Sequence, residues 1–139
     1  MADTLSFSLV SPERELFSGD VKQVDAPGVE GEFGVLPSHA PFMTVLKPGV
    51  VRIYEASGVT PVFVRGGFAD VTPAGLTILA EEAVRLSDVD AAALDTEIAK
   101  VRSDATDPGD EARKTRAAER LAYLEALKAA LGAGGAKAH

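Results

Sequence analysis

The 139-residue chain contains no cysteine and no tryptophan, and it has only two histidines. Without cysteine there can be no disulfide, no thiol nucleophile and no sulfur ligand for a metal, and such a composition fits a reducing compartment. The sequence also lacks any run of 18 apolar residues, so no segment is predicted to cross a bilayer. Its first residues show no basic segment followed by an apolar one, so we expect no secretory signal.

Basic side chains are scarce relative to acidic ones. The chain has 14 Lys and Arg against 21 Asp and Glu, which gives a formal net charge of −7. Binding to nucleic acid depends on clustered basic side chains that displace counterions from the phosphates. We therefore expect no nucleic-acid partner.

The sequence offers little for catalysis. Its one internal histidine, His39, directly follows Ser38, and adjacent residues of a strand point to opposite faces, so we do not expect a nucleophile–base pair. No histidines or carboxylates have metal-ligand spacing, and the glycines match neither Gly-x-Gly-x-x-Gly nor a phosphate-binding loop with its lysine. We predict no catalytic residue, no metal site and no enzymatic activity.

Residues 1–86 have the pattern of short strands separated by turns. Apolar side chains alternate with polar ones, as at Leu5, Phe7 and Leu9, and a period of two places such side chains on one face of a strand. Glycine and proline pairs interrupt these runs at short, regular intervals. The pattern predicts an all-β sandwich of about eight to ten strands.

From Ser87 the pattern becomes helical. The segment Ser87 to Asp90 has the form of a capping box, and apolar residues at helical spacing predict one helix near 88–104 and a second near 110–131. We therefore predict an α+β fold, a β-sandwich followed by an antiparallel two-helix hairpin, with a disordered tail from Gly132. The hairpin is rich in alanine, so it buries little apolar surface and we expect it to be able to rearrange. A fixed helical appendage remains the alternative.

The most distinctive stretch runs from Val29 to Leu46. Glycines recur every third residue just before and within it, at Gly28, Gly31 and Gly34, and two prolines then bracket His39. So many glycines and prolines predict tight turns around a short strand, with Glu30, Glu32, Ser38 and His39 at the surface. The arrangement Gly-x-x-Gly-x-x-Gly, an aliphatic pair and Pro-x-His-x-Pro closely resembles the signature of the epsilon subunit of F-type ATP synthases.

The resemblance extends over nearly all of residues 5–90 and more loosely over the helices. Val64 to Val71 is similar to the family's Gly-Gly turn and closing strand, and Leu79 to Ala83 leads into the helices in the same way. It implies two domains, a sandwich in 1–86 and a regulatory helical hairpin in 87–139. It also implies a non-catalytic central-stalk subunit that couples proton-driven rotation to ATP synthesis and can inhibit ATP hydrolysis through its helices.

The resemblance further implies the partners and the location. The sandwich would contact the gamma subunit and the c-ring, and the helices would contact the alpha/beta catalytic head. The chain would then reside on the cytoplasmic face of the bacterial inner membrane, attached only through the complex. It places Glu30 and Glu32 at the c-ring, and it places Pro37, His39 and Pro41 at the gamma subunit. The alternative is that His39 only bonds within its turn and that the two glutamates are ordinary solvated charges.

Some family members bind ATP on the folded hairpin through Asp-x-x-Arg and Arg-x-x-x-Arg. Here Asp90, Arg116 and Arg120 match these patterns, but Ala93 replaces the first arginine. Charge-assisted contacts are strong, so the absence of one cation that would pair with a phosphate should weaken binding. We therefore expect no required cofactor and only weak ATP binding. The alternatives are a solvated basic face, or an inhibitory face that meets acidic surfaces of the catalytic head and contains Arg113, Lys114, Arg116 and Arg120.

Two other functions remain open at the sequence level. The chain would be a free-standing β-sandwich binding module if its glycine- and proline-rich loop held a small ligand. It would be a nucleotide sensor outside the synthase if the hairpin bound ATP despite Ala93.

Overall fold

The computed structural model describes residues 4–106 and 109–134. Ten strands precede two helices, with a short 3₁₀ turn at Leu86–Asp88 between them. The strands are β1 (Leu5–Val10), β2 (Glu15–Val21), β3 (Gln23–Gly28), β4 (Gly31–Val35), β5 (Phe42–Val45), β6 (Gly49–Glu55), β7 (Gly58–Val64), β8 (Gly67–Thr72), β9 (Gly75–Ala80) and β10 (Ala83–Arg85). The helices are α1 (Ala91–Ala105) and α2 (Glu111–Gly134). The predicted α+β fold is confirmed.

The strands form two five-stranded sheets. Sheet I has the order β2-β1-β9-β8-β5, and sheet II has the order β10-β7-β6-β3-β4. All pairs are antiparallel except β1 and β9, which run parallel. The two sheets pack face to face, which is the sandwich that the strand pattern predicted.

The core lies between the inner faces of the two sheets. Phe7, Leu9 and Ile78 of sheet I, and Val51 and Ile53 of sheet II, are each 1% exposed or less. These residues occupy the positions that the period of two reserves for one face, so that prediction is confirmed. Each such side chain contributes about 1.5 to 3 kcal/mol when fully buried.

The helical hairpin packs on the outer face of sheet II. Val50, Phe63 and Val84 lie side by side in β6, β7 and β10 and point away from the sandwich core. The ring of Tyr123 in α2 lies 5.6 Å from the ring of Phe63. These contacts bury Leu124 and Leu127 in a second, smaller apolar core. Apolar residues at helical spacing, the pattern that predicted the two helices, therefore form the face that packs on sheet II.

The predicted capping box at Ser87 was wrong. Leu86–Asp88 is a 3₁₀ turn anchored by the buried Leu86, and α1 begins three residues later than predicted. Its N-cap is Asp90, whose backbone is extended and whose carboxylate accepts bonds from the amides of Ala92 and Ala93 at 3.0 and 3.2 Å. Asp90 thus satisfies two of the amides that a helix start leaves unpaired.

The end of α2 also differs from the prediction. The helix continues through Gly132 to Gly134, two residues beyond the expected break followed by the tail. The remaining tail residues, and Asp107 and Pro108 of the predicted interhelical loop, lie outside the described residues.

The chain crosses from sheet II to sheet I at Gly66 and Gly67, which both have positive φ, +72° and +111°. A Cβ on Gly67 would stand 2.0 Å from the carbonyl oxygen of Leu79. Because that atom belongs to the backbone of the neighbouring strand, no side-chain adjustment can relieve the clash. Only glycine fits where the two strands approach this closely.

We predict that Gly67→Ala lowers the free energy of unfolding by about 3 kcal/mol, because it adds a backbone clash to the strain of a positive φ. The matched control is Gly58→Ala, which has φ +138° but no atom within 4 Å of the added Cβ. We expect the control to lose only about 1 kcal/mol. Urea unfolding of both variants measures the difference, and equal losses would contradict the role of the close approach.

Candidate functional site

The glycine-rich segment forms a β-hairpin with an acidic tip. Gly28 pairs with Gly31 at the end of β3 and β4, so Val29 and Glu30 form a two-residue turn. Gly31 has φ +133°, and a Cβ on Gly28 would lie 2.8 Å from the carbonyl oxygen of Gly31. The glycines thus permit the tight turn that exposes Glu30.

Glu32 lies on the same side of the molecule as Glu30. It is exposed on β4 opposite Pro27. Together with Glu30, Phe33 and Met43 it lines a shallow depression of about 320 Å³. The structure therefore brings the two predicted c-ring residues together beside the edge strand β5.

His39 occupies a separate turn between β4 and β5. The His39 amide donates a hydrogen bond to the Leu36 carbonyl at 3.1 Å, which closes a four-residue turn from Leu36 to His39. Proline is the second residue of this turn, and Ser38, the third, has a left-handed backbone with φ 69°. Ser38 and His39 therefore lie in a turn at this point, and not in a strand as the argument against a nucleophile–base pair assumed. The His39 Nδ1 lies 2.8 Å from the Ala40 carbonyl oxygen.

The ring of His39 continues into an aromatic row. Its centroid lies 5.4 Å from that of Phe42, which is 5.2 Å from the ring of Phe33 in an edge-to-face arrangement. His39 and Ser38 line a cavity of about 240 Å³, apart from the depression that holds Glu30 and Glu32. The predicted gamma-contact residues Pro37, His39 and Pro41 thus all lie in the short connection that leads into β5.

The outer face of sheet I carries an apolar row that the sequence analysis missed. Val45 of β5, Phe68 of β8 and Leu79 of β9 are paired neighbours across three strands. They are 56%, 41% and 43% exposed, and Met43, two residues before Val45, is 63% exposed. We call these four residues the sheet I row. Contiguous apolar runs such as Ile78-Leu79 were the available signal, because they indicate a strand with apolar residues on both faces.

On the hairpin, Arg120 of α2 is held by two carboxylates, one from the connection between β9 and β10 and one from α1. Its guanidinium donates to both Glu82 oxygens at 3.0 and 3.1 Å and to Glu97 of α1 at 3.4 Å. It also lies over the Tyr123 ring, 4.8 Å from its centroid. Burial on its own would lower the pKa of Arg120, but bonds to Glu82 and the charges of both glutamates raise it overall. Burial raises the pKa of Tyr123, and the charge of Glu82 adds to the increase.

The residues predicted to form an ATP-binding face are only partly brought together. Asp90, Ala93 and Arg120 line one open cleft of about 280 Å³, which also contains Glu97. Arg116 lies outside it, in a smaller hollow beside Arg65. Arg113 lies nearer the start of α2 and pairs with Asp104 of α1 at 3.4 Å.

The sequence profile of the family described as "ATP synthase, Delta/Epsilon chain, beta-sandwich domain" matches residues 4–86. The chain belongs to this family. A relative from Hyphomonas neptunium named "ATP synthase epsilon chain" is 60% identical over 134 residues, which are 94% of this chain and 98% of the relative. The chain is therefore a non-catalytic central-stalk subunit of F-type ATP synthase, and the resemblance stated from its sequence is confirmed.

Two further comparisons cover different shares of the chain. An epsilon chain from Caulobacter vibrioides is 61% identical over 80 residues, 58% of this chain but 93% of the relative. A structure described as Euglena gracilis mitochondrial ATP synthase, OSCP/F1/c-ring in rotational state 1, has a TM-score of 0.78 at 27% identity, covering 94% of this chain and 83% of that chain.

This epsilon-family chain has no membrane-crossing helix in its described part. Across residues 4–106 and 109–134, neither helix combines the length and the apolar character needed to span a bilayer.

Four basic residues were predicted to form an inhibitory face, and three of them form ion pairs. Within the described part of the chain, Arg116 forms none. The other three, Arg113, Lys114 and Arg120, pair with acidic residues of the same chain.

Proposed function

We propose that the sandwich works as a coupling element through two neighbouring surfaces, one for the gamma subunit and one for the c-ring. The observation that supports the proposal most directly is the exposed sheet I row, Met43, Val45, Phe68 and Leu79. Contiguous exposed apolar residues are typical of a surface that a partner covers. The gamma subunit is the proposed partner.

The connection before β5 would form the edge of this gamma surface. Pro41 immediately precedes β5, and the ring of His39 lies against Phe42 of the same strand. Pro37 sits at the second position of the turn that orients His39. Because proline restricts the backbone, little ordering free energy would be needed on binding.

Glu30 and Glu32 would meet the c-ring. Both are exposed, and the shared depression opens beside Met43. Carboxylates at the rim of an apolar contact select partners with basic or amide groups and contribute more to specificity than to affinity. The Euglena structure similar to this chain includes a c-ring by its description, which supports this partner.

We further propose that the chain lies on the cytoplasmic face of the bacterial inner membrane and reaches it only through the complex. Its relatives from Hyphomonas and Caulobacter are bacterial epsilon chains, which supports this location. Contact of the helices with the alpha/beta head, and inhibition of ATP hydrolysis, remain predictions. In the docked hairpin Arg120 pairs with Glu82 of the sandwich, so release of the hairpin would free Arg120 from that partner, whereas Arg113 and Lys114 pair with Asp104 and Glu111 within the hairpin itself.

A second candidate function is weak nucleotide binding in the cleft of Asp90, Ala93 and Arg120. The cleft joins two of the predicted residues, which favours the idea. Arg120, however, already donates to Glu82 and Glu97, so a phosphate group would have to displace both carboxylates. We propose that this competition and the missing cation at Ala93 keep ATP binding weak.

We predict that Val45→Lys weakens binding of the isolated gamma subunit about 30- to 150-fold. Burying the lysine ammonium group in a covered apolar surface reduces the binding free energy of the complex by about 2 to 3 kcal/mol. Titration calorimetry with purified gamma measures the effect. The control is Ser57→Lys, which adds the same charge in the exposed turn between β6 and β7. Equal affinities for both variants would contradict the assignment of the sheet I row.

We predict that Glu30→Lys or Glu32→Lys lowers the proton pumping obtained per ATP hydrolysed in membranes with the reconstituted synthase. Each reversal replaces attraction to a basic or amide group by repulsion, and we expect a loss of about twofold or more. Acidification of the vesicles and phosphate release are measured on the same sample.

The control for this coupling test is Glu55→Lys. Glu55 ends β6 beside the start of β3, so it lies at the end of sheet II that is far from the tip of the β3–β4 hairpin. The larger loss identifies which glutamate lies nearer the c-ring. If both variants pump as efficiently as Glu55→Lys, the c-ring contact is elsewhere.

We predict that Ala93→Arg tightens ATP binding about tenfold or more, since it restores a cation beside Asp90 and Arg120 and charge-assisted contacts are the strong ones. Titration calorimetry on the full chain measures the dissociation constants. Ala92→Arg adds the same charge one position earlier on α1, outside the residues that line the cleft. An equal gain in both variants would show that net charge, not the cleft, controls binding.

A further inference from the structure

The outer face of sheet I carries an aspartate directly beside its exposed apolar row. Asp70 lies in β8 on the same face as Phe68, because the two residues are two positions apart in one strand. Its paired residues in the neighbouring strands are Met43 of β5 and Thr77 of β9. Since Met43 belongs to the sheet I row, Asp70 borders directly on that apolar surface.

Asp70 has no partner for its charge within the chain. It is half-buried, and across residues 4–106 and 109–134 its carboxylate forms neither an ion pair nor a hydrogen bond. Aspartate is also depleted in strands, so the residue does not favour the structure in which it lies. A residue that departs from local preference without a compensating contact is typical of a functional position.

The same sheet face supplies no cation that could approach this carboxylate. The outward-facing positions of β1, β2, β5, β8 and β9, all within the described part of the chain, include Glu15, Asp20 and Asp70 but no lysine or arginine. The face therefore combines an apolar row with negative charge. A complementary partner surface combines apolar side chains with basic ones.

Covering the sheet I row would also remove Asp70 from water. Met43 is 63% exposed and lies next to Asp70, so a partner seated on the row covers both residues. A carboxylate that loses its water without gaining a partner is strongly disfavoured, whereas a carboxylate that meets a cation forms a charge-assisted contact. A partner without a basic group at this point would therefore be rejected.

We propose that Asp70 forms an ion pair with a lysine or arginine of the gamma subunit, and that it is a specificity-determining residue of the gamma surface. The inference rests on the proposed function, because it requires gamma to cover the sheet I row. The row contributes the burial of apolar surface, while Asp70 selects the partner and fixes its orientation. The carboxylate that is unpaired in the free chain is paired in the complex.

Titration calorimetry with purified gamma tests the ion pair. Asp70→Asn keeps the shape of the side chain and removes its charge. At low salt we expect this variant to bind gamma about tenfold more weakly, or weaker still, than the unsubstituted chain. The titration is repeated between about 0.05 and about 0.5 M NaCl, since salt screens charges. The affinity of the unsubstituted chain should fall over this range, and that of Asp70→Asn should change by less than half as much.

The matched control is Asp20→Asn. Asp20 lies on the same face but in the edge strand β2, opposite Ser6. Three strand spacings separate β2 from β8, which places the two carboxylates about 14 Å apart or more. That separation exceeds the Debye length of about 8 Å at physiological salt. We expect the control to lose less than about twofold in affinity. Equal losses in both variants would show that overall charge controls binding and would overturn the ion pair.

Urea unfolding of the free chain distinguishes recognition from a structural role. Because Asp70 has no partner in the free chain, Asp70→Asn should leave the unfolding midpoint unchanged. Asp70→Thr should raise the midpoint, since threonine favours strands, and should still weaken gamma binding because the charge is lost. If both variants unfold at lower urea concentration than the unsubstituted chain, Asp70 acts within the sheet, and its assignment to recognition is overturned.

The titration of Val45→Lys separates failure of this inference from failure of the proposed function. If Val45→Lys weakens gamma binding and Asp70→Asn does not, gamma covers the sheet I row without an ion pair at Asp70, and only the inference is overturned. If neither substitution weakens binding, gamma does not cover this face, and the proposed surface and the ion pair are both wrong.

Discussion

Each sheet of the sandwich carries apolar side chains on both of its faces, and this burial requirement organises the molecule. The inner faces cover one another. On the outer face of sheet II, Phe63 and its neighbours are covered by Tyr123 and the rest of the hairpin. On the outer face of sheet I, Phe68 and its neighbours remain exposed. The same physical requirement is thus met within the chain on one side, while the other side is available to a stalk partner.

The sequence predicts the sandwich well because alternation with a period of two is local. It predicts the outer rows poorly, because Val62-Phe63-Val64 and Ile78-Leu79 indicate two buried faces without indicating what covers them. The start of α1 is another limit. Ser87 and Asp90 both suit an N-cap, and the choice depends on burial of Leu86, a tertiary contact that no local motif records.

The acidic tip and the connection through His39 could be located from glycine and proline, because glycine permits positive φ in tight turns and proline restricts φ. The role of Arg120 could not. Its spacing from Arg116 indicates a common helix face, but its partner Glu82 is 38 residues away in sequence. Ion pairs at such separations form only after the chain has folded, so the predicted basic face becomes, in the structure, mostly a set of internal contacts.

Coupling requires a stiff path between the proposed c-ring and gamma surfaces, and the backbone provides one. Near the acidic tip, the Val29 amide donates a hydrogen bond to the Val45 carbonyl at 3.0 Å. The Lys47 amide donates a hydrogen bond to the Pro27 carbonyl at 2.9 Å. These bonds fasten the β3–β4 hairpin of sheet II to the end of β5 in sheet I, two residues from Met43. A force applied at the tip therefore reaches the sheet I row through short hydrogen-bonded connections within the sandwich. The helical hairpin of α1 and α2 takes no part in these two hydrogen bonds and is not on this path.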